Sequence, residues 1–295
     1  MFSHAKWCVL LTAALLAGCS AMQFTYNKAG TLLGWRADSY FDFDPQQKHE
    51  FQQKITALLA WHRREQLPDY AQFTYAAVAR ARDGLTRDDI VWFMDGLKKR
   101  YRLIVDRGAP DAADILATLG VEQLRAVGKE FAKDNRKFID EHDLDGNQDR
   151  QKRARLKRML SQITDWTGGL SRAQEQRVEQ LVESIPLFEH LRHQDRMRRQ
   201  AEFHELLRLR TQRQEFQTRL HAWLHDWEKG RTPEYERIAT EVFERRIEFF
   251  IALEKILTPA QREHALKRLY GFGDDFKALS ERPLAAAAAG VIAAF

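Results

Sequence analysis

LFEHLRHQDRMRRQAEFHELLRLRTQRQEFQTRLHAWLHDWEK, residues 187–229, contains neither glycine nor proline. Phe188, Leu191, Phe203, Leu206, Leu207, Phe216, Leu220, Trp223, Leu224 and Trp227 recur along it at helical intervals. Read as one unbroken helix, it would be on the order of 60 Å long at 1.5 Å per residue. That length predicts an elongated multi-helix bundle with one long helix near 187–229.

The rest of the chain agrees with an all-α class. Of the whole sequence, 30% is charged and 44% hydrophobic, with 15 glycines and only 7 prolines. Helical periodicity recurs and strand alternation does not. Residues 26–41 form a short amphipathic piece, and Pro45 to Arg64 reads as a helix that Leu67-Pro68 breaks. Helices are expected over roughly 69–83 and 86–107, with Pro110 in the first turn of another that stops near Gly120. Further helices cover about 121–142, 148–166 and 171–184, with two sub-bundles meeting near 166–171. Thr232-Pro233 and LTPAQ (257–261) start the last two. The helical domain is read as 26–282, followed by an alanine-rich tail, 283–295.

LTPAQ has four looser echoes: FDPQQ (43–47), LTRDD (85–89), LGVEQ (119–123) and LSRAQ (170–174). Each has an apolar residue, usually then Ser, Thr or Asp, then Gln or Asp three positions on. That is a capping box: the N-cap oxygen accepts an orphan first-turn amide, and the N3 side chain reaches back to the N-cap amide. The pairs are Asp44 with Gln47, Thr86 with Asp89, Ser171 with Gln174, and Thr258 with Gln261. Gly120 is a poorer cap. The motif starts are 42, 34, 51 and 87 residues apart, too irregular for a solenoid.

The first eighteen residues read as a secretory signal. Lys6 precedes an apolar run from Trp7 to Ala17 that is too short to span a bilayer. Leu16-Ala17-Gly18-Cys19 looks like a bacterial lipobox, which implies a diacylglycerol thioether on Cys19 and cleavage just before it. Residues 19–25 would then be the lipidated N-terminus and tether. Cys8 leaves with the signal, so the mature chain holds no disulfide. Acyl chains would hold it durably to a membrane. Ser20 lacks the aspartate that favours inner-membrane retention, which points to the periplasmic face of the outer membrane. The formal charge of +5 is spread through interspersed signs. Nucleic acid is not an expected partner; anionic lipid headgroups are a candidate one.

Two family resemblances follow. LTPAQREHALKRL and LSRAQEQRVEQL resemble the LTxxQ motif of Spy-type periplasmic chaperones, small helical proteins that cradle unfolded clients. The lipobox, YNKAGTLLGWRADSYFDFDPQQ, WHRREQLPDY, DNRKF and DWTGGLSRAQ, in that order, resemble a family of bacterial lipoproteins catalogued as domain of unknown function 6279. The resemblance implies an envelope lipoprotein with a helical body, and it carries over no catalytic residue.

Other candidates are weaker. EHDLDGNQD (141–149) matches several calcium-loop positions, but Lys152 stands where a bidentate glutamate is needed, and a helix–helix turn favours the same residues. His190 with His193, and His221 with His225, have helical spacing but no HExxH context, so no metal site is expected. No GxSxG, Walker loop or dinucleotide fingerprint occurs, which leaves enzyme as the weakest class. RQKRARLKR (150–158) and DRMRRQ (195–200) concentrate cations. Arg153, Arg155, Lys157, Arg158, Arg198 and Arg199 are candidate contacts for phosphate-bearing lipid or an acidic protein.

The functional expectation is chaperone-like binding of unfolded or apolar segments of envelope proteins, with no cofactor. The alternative is a scaffold that docks a specific protein or anionic lipid through basic helical faces.

Overall fold

The computed structural model describes residues 21–282, and among these no strand occurs. The signal segment, Cys19 and the alanine-rich tail lie outside them. Residues 21–27 are helical and lead through Lys28 into α1, Ala29–Phe41. There follow α2 (Pro45–Trp61), α3 (Leu67–Ala81), α4 (Arg87–Ala117), α5 (Val121–His142), α6 (Gln148–Thr167) and α7 (Arg172–Glu183). The chain continues with α8 (Glu189–Arg208), α9 (Arg213–His225), α10 (Pro233–Ile256) and α11 (Pro259–Glu281). The molecule is an all-α multi-helix bundle.

The single long helix expected near 187–229 is not formed. The chain leaves α8 at Leu209 and re-enters helix at Arg213, and α9 folds back along α8. Phe203 stacks on Trp223 with ring centroids 5.3 Å apart, and Arg199 donates to the Trp223 carbonyl at 3.0 Å. Burial decides this. Phe203, Leu206 and Leu207 of α8 and Phe216 and Leu220 of α9 all enter one core, which a straight rod would forbid. Arg210 closes the turn, its Nε donating to the Leu119 carbonyl at 2.8 Å and Nη1 to Leu207 at 3.2 Å. No residue of the turn needs a positive φ, so neither glycine nor proline marks it.

Proline also behaves differently from expectation at two places. Pro110 does not begin a helix but lies inside α4, where burial of Val105, Ala109, Ala113 and Leu116 outweighs one missing hydrogen bond. Leu67-Pro68 does not end the second helix outright. Residues His62–Gln66 widen into a π-helical turn, with the Leu67 amide bonding the His62 carbonyl, and α3 continues from it. The wider turn accommodates the donor that Pro68 lacks.

Two apolar clusters organise the packing. One gathers Phe43, Ile115, Leu116, Val127, Phe203, Leu207 and Phe216 between α2, α4, α5, α8 and α9. The other gathers Ile163, Val178, Val182, Phe188, Tyr235, Val242 and Phe249 between α6, α7 and α10. α8 enters from the second and ends in the first. α3 packs lengthwise against α11, and a Cβ on Gly273 of α11 would lie 2.5 Å from the Tyr75 ring. Likewise a Cβ on Gly96 of α4 would lie 2.4 Å from Phe73, so two glycines let α3 sit tightly between its neighbours.

Candidate functional site

Four of the five helix starts marked by an echo carry the full capping box. The Gln47 amide donates to Asp44 Oδ1 at 2.8 Å, and the Asp44 amide to Gln47 Oε1 at 3.1 Å. Asp89 and Thr86 exchange the same two bonds at 3.2 and 3.1 Å. For Gln174 with Ser171 they are 3.3 and 2.9 Å, and for Gln261 with Thr258 3.2 and 2.9 Å. At Gly120 only the return bond exists, its amide donating to Gln123 Oε1 at 2.8 Å.

Four of these caps are joined in pairs. Gln174 Nε2 donates to Gln261 Oε1 at 2.7 Å, and also to the Ile256 carbonyl at the end of α10 at 2.9 Å. Gln261 Nε2 donates back to Gln174 Oε1 at 3.2 Å, and to the Gly169 carbonyl just beyond α6 at 2.7 Å. The same figure is drawn by Gln47 and Gln123. Gln123 Nε2 reaches Gln47 Oε1 at 2.6 Å and the Phe41 and Asp42 carbonyls at 2.9 Å, while Gln47 Nε2 reaches the Thr118 carbonyl at 3.1 Å. Only an amide can do this. Its oxygen serves its own helix start and its NH2 serves the helix end ahead of the partner motif. Asp89, with no donor, forms no such clasp and pairs with Arg80 at 2.7 Å instead.

Two cavities lie within the bundle. One, of about 270 Å³, is lined by Phe43, Phe51, Leu116 and Phe203. The other is a larger open groove of about 450 Å³, formed where the ends of α3, α6 and α10 meet the starts of α4 and α11, with Leu257 and Arg262 of the LTPAQ region in its wall. Trp92, Phe93, Met94, Trp166, Phe250 and Leu266 line it. Met94, Trp166 and Phe250 remain 38–46% exposed. The volume falls within the roughly 300–1,000 Å³ usual for binding pockets.

Two cations at the rim are paired with acids. Arg80 lies 4.6 Å above the Trp92 ring while it pairs with Asp89. The Thr86 hydroxyl, then Arg80, hold the Asp89 carboxyl below its usual range. Arg262 meets Glu254 at 2.6 Å across the other wall, and Arg268 covers Trp166 while donating to the Asp165 carbonyl. The groove therefore offers apolar surface with a charged edge at which Arg80 and Arg262 are each paired with an acid.

The six cations proposed from sequence do not form one face. Arg155 is buried and spends its guanidinium on the Pro186 and Val182 carbonyls at 3.0 and 3.2 Å, so burial pushes its pKa down. It is a packing residue, which corrects its placement among docking cations. Arg158 donates to the Glu141 carbonyl at 2.5 Å. Arg198 is held by Asp195 at 2.6 Å and Glu202 at 2.5 Å, and Arg199 lies 3.8 Å over Trp223. Arg153 and Lys157 are exposed.

The loop at 141–149 is a turn in which Asp143 takes φ +51° and meets Arg150 at 2.9 Å. Among the described residues no group of three or more His, Cys, Asp or Glu is placed to hold a metal ion, and no helix is long and apolar enough to cross a membrane. Sequence reasoning missed Met94, Phe250 and Leu266, whose common wall arises from helix ends far apart in the chain. The one available signal was the Phe249-Phe250 pair, which cannot bury both rings on one helical face.

The fold and groove define an all-α bundle of clasped helical hairpins. The chain belongs to the family of unknown function DUF6279, whose model matches residues 39–236. That span contains the Gln47–Gln123 clasp and Gln174 but not Gln261. Neither the curated proteins nor the solved structures contain a match.

Proposed function

We propose that the protein is a lipoprotein held by acyl chains on Cys19 at the periplasmic face of the outer membrane, and that it holds exposed apolar segments of envelope proteins in the groove lined by Trp92, Met94, Trp166 and Phe250. The observation that carries this reading is the open apolar groove at which Met94, Trp166 and Phe250 stay exposed beside the Arg80–Asp89 and Arg262–Glu254 pairs. Aromatic and Met side chains adapt to varied apolar partners, and the paired ions at the edge keep such a complex soluble. Binding of this kind requires no nucleotide or cofactor. The scaffold alternative draws less support, because Arg155, Arg158, Arg198 and Arg199 are engaged within the fold.

The test is suppression of aggregation of several unrelated denatured proteins by the purified protein, compared with Phe250→Glu and Met94→Glu variants of unchanged melting temperature. Loss of suppression in the variants supports the groove. Equal suppression by parent and variants removes it as the binding site, and no suppression by the parent removes the chaperone reading.

A further inference from the structure

The residues that follow the proposed anchor carry an apolar face that the described residues leave exposed. Phe24 and Trp35 are 64% and 69% exposed, and Leu32 is 43% exposed. With Lys28 they recur at intervals of four, four and three, which places them on one stripe. The helical register is continuous through Lys28, whose amide bonds the Phe24 carbonyl at 3.1 Å and whose carbonyl accepts from Leu32 at 3.0 Å.

The opposite side of the same segment is committed to the body. Gly30 and Gly34 lie against Gln52, and Tyr40 meets Phe131 edge-on at 5.8 Å. Gln23 donates to Asp275 at 2.7 Å, and Tyr26 shares a 2.8 Å hydrogen bond with His62. The segment is thus fixed in orientation, with its stripe facing away from the bundle.

Charge distinguishes this stretch from the rest of the chain. Residues 21–37, AMQFTYNKAGTLLGWRA, contain two cations, Lys28 and Arg36, and no acid, whereas the whole sequence holds 42 Asp and Glu. Arg36 is shared with Asp134 at 2.9 Å, and Lys28 is exposed. Only Ser20 separates Cys19 from Ala21, so two Cα steps allow at most about 7 Å between them. A lipid on Cys19 brings this helix to the headgroup layer with no slack.

We infer that the Phe24–Lys28–Leu32–Trp35 stripe lies in the interface of the membrane that holds the anchor, its occupant being an anionic lipid surface. Phe and Leu enter the acyl boundary, Trp sits at headgroup depth, and Lys28 meets phosphate, the arrangement of an interfacial helix. The inference rests on the lipoprotein reading above and adds to it a fixed orientation of the body.

The test uses the full lipidated chain in vesicles of phosphatidylethanolamine and phosphatidylglycerol. An environment-sensitive fluorophore is attached at Trp35→Cys or, for comparison, at Glu175→Cys on α7. Co-flotation with the vesicles, with quenching by a lipid-borne quencher several-fold stronger at 35 than at 175, is the expected result. Co-flotation with equal quenching at both positions overturns the interfacial stripe and leaves the anchor standing. A chain that does not float overturns both.

Discussion

Gln174 and Gln261, 87 residues apart, exchange side-chain amide hydrogen bonds while each also closes the helix end that precedes the other. Two caps that would each be local become one long-range element. Both glutamines are half-buried, so an unmade bond is not fully replaced by water.

Gln261→Glu keeps the acceptor for Thr258 but removes the donor and sets a charge against the Gly169 carbonyl. It is expected to lower unfolding free energy by about 1–3 kcal/mol in urea titrations. The double variant Gln174→Met with Gln261→Met should cost clearly less than the sum of the singles, because the first substitution already opens the clasp. Additive losses would show that the two caps act separately.

Gly273→Ala and Gly271→Ala form a matched pair on α11. The first drives a methyl to within 2.5 Å of Tyr75, and the second meets nothing within 4 Å. Thermal melts should show Gly273→Ala losing roughly 1–3 kcal/mol. Gly271→Ala should be neutral or gain up to about 1 kcal/mol of helix propensity.

Acid should weaken the fold before the carboxylates titrate. Burial holds the pKa of His62, His142 and His193 below the ordinary imidazole value, with Arg158 and Arg192 adding at His142 and Arg196 at His193. The unfolded chain therefore binds protons first, and stability falls as pH drops below about 6.5. The effect levels off only beneath the folded-state values. Asp275, raised by burial, acts in the opposite sense at lower pH. Melting temperatures measured from pH 7.5 down to 5 should decline, and His193→Leu should flatten the decline; an unchanged slope would exclude His193 as a contributor.

Arg155 and Arg153 should separate cleanly. Arg155→Met leaves the Pro186 carbonyl without its donor, and the Val182 carbonyl with the Ile185 amide alone, and should cost about 1–3 kcal/mol, whereas Arg153→Met on the exposed face should lie within about 0.5 kcal/mol of the parent. Chemical denaturation of the two proteins side by side measures the difference.

Helix starts were legible in the sequence because a cap is local: Asp44, Thr86, Ser171 and Thr258 each need only a partner three residues on. Pairing of Gln47 with Gln123 and of Gln174 with Gln261 was not, since nothing in a pentapeptide says which distant carbonyl its amide will meet. The turn at Leu209–Gln212 escaped notice for a related reason. Its cause is the shared burial of Phe203 and Phe216, and its closure depends on Arg210 reaching Leu119, a contact 91 residues distant in sequence. Pro110 misled in the other direction, as a strong local signal overridden by packing of Ala109 and Ala113. The groove was illegible because its walls come from five helix ends, each unremarkable alone.

α11 meets the N-terminal segment where Gln23 bonds Asp275 and the following Arg282, and it forms a groove wall with Leu266 and Leu269 nearer the other end. A tug on the residues ahead of Ala21 would therefore be borne along a single rigid strut, not dissipated in loops. Were the chain held by the anchor proposed above, a pull on it would reach the groove wall through α11.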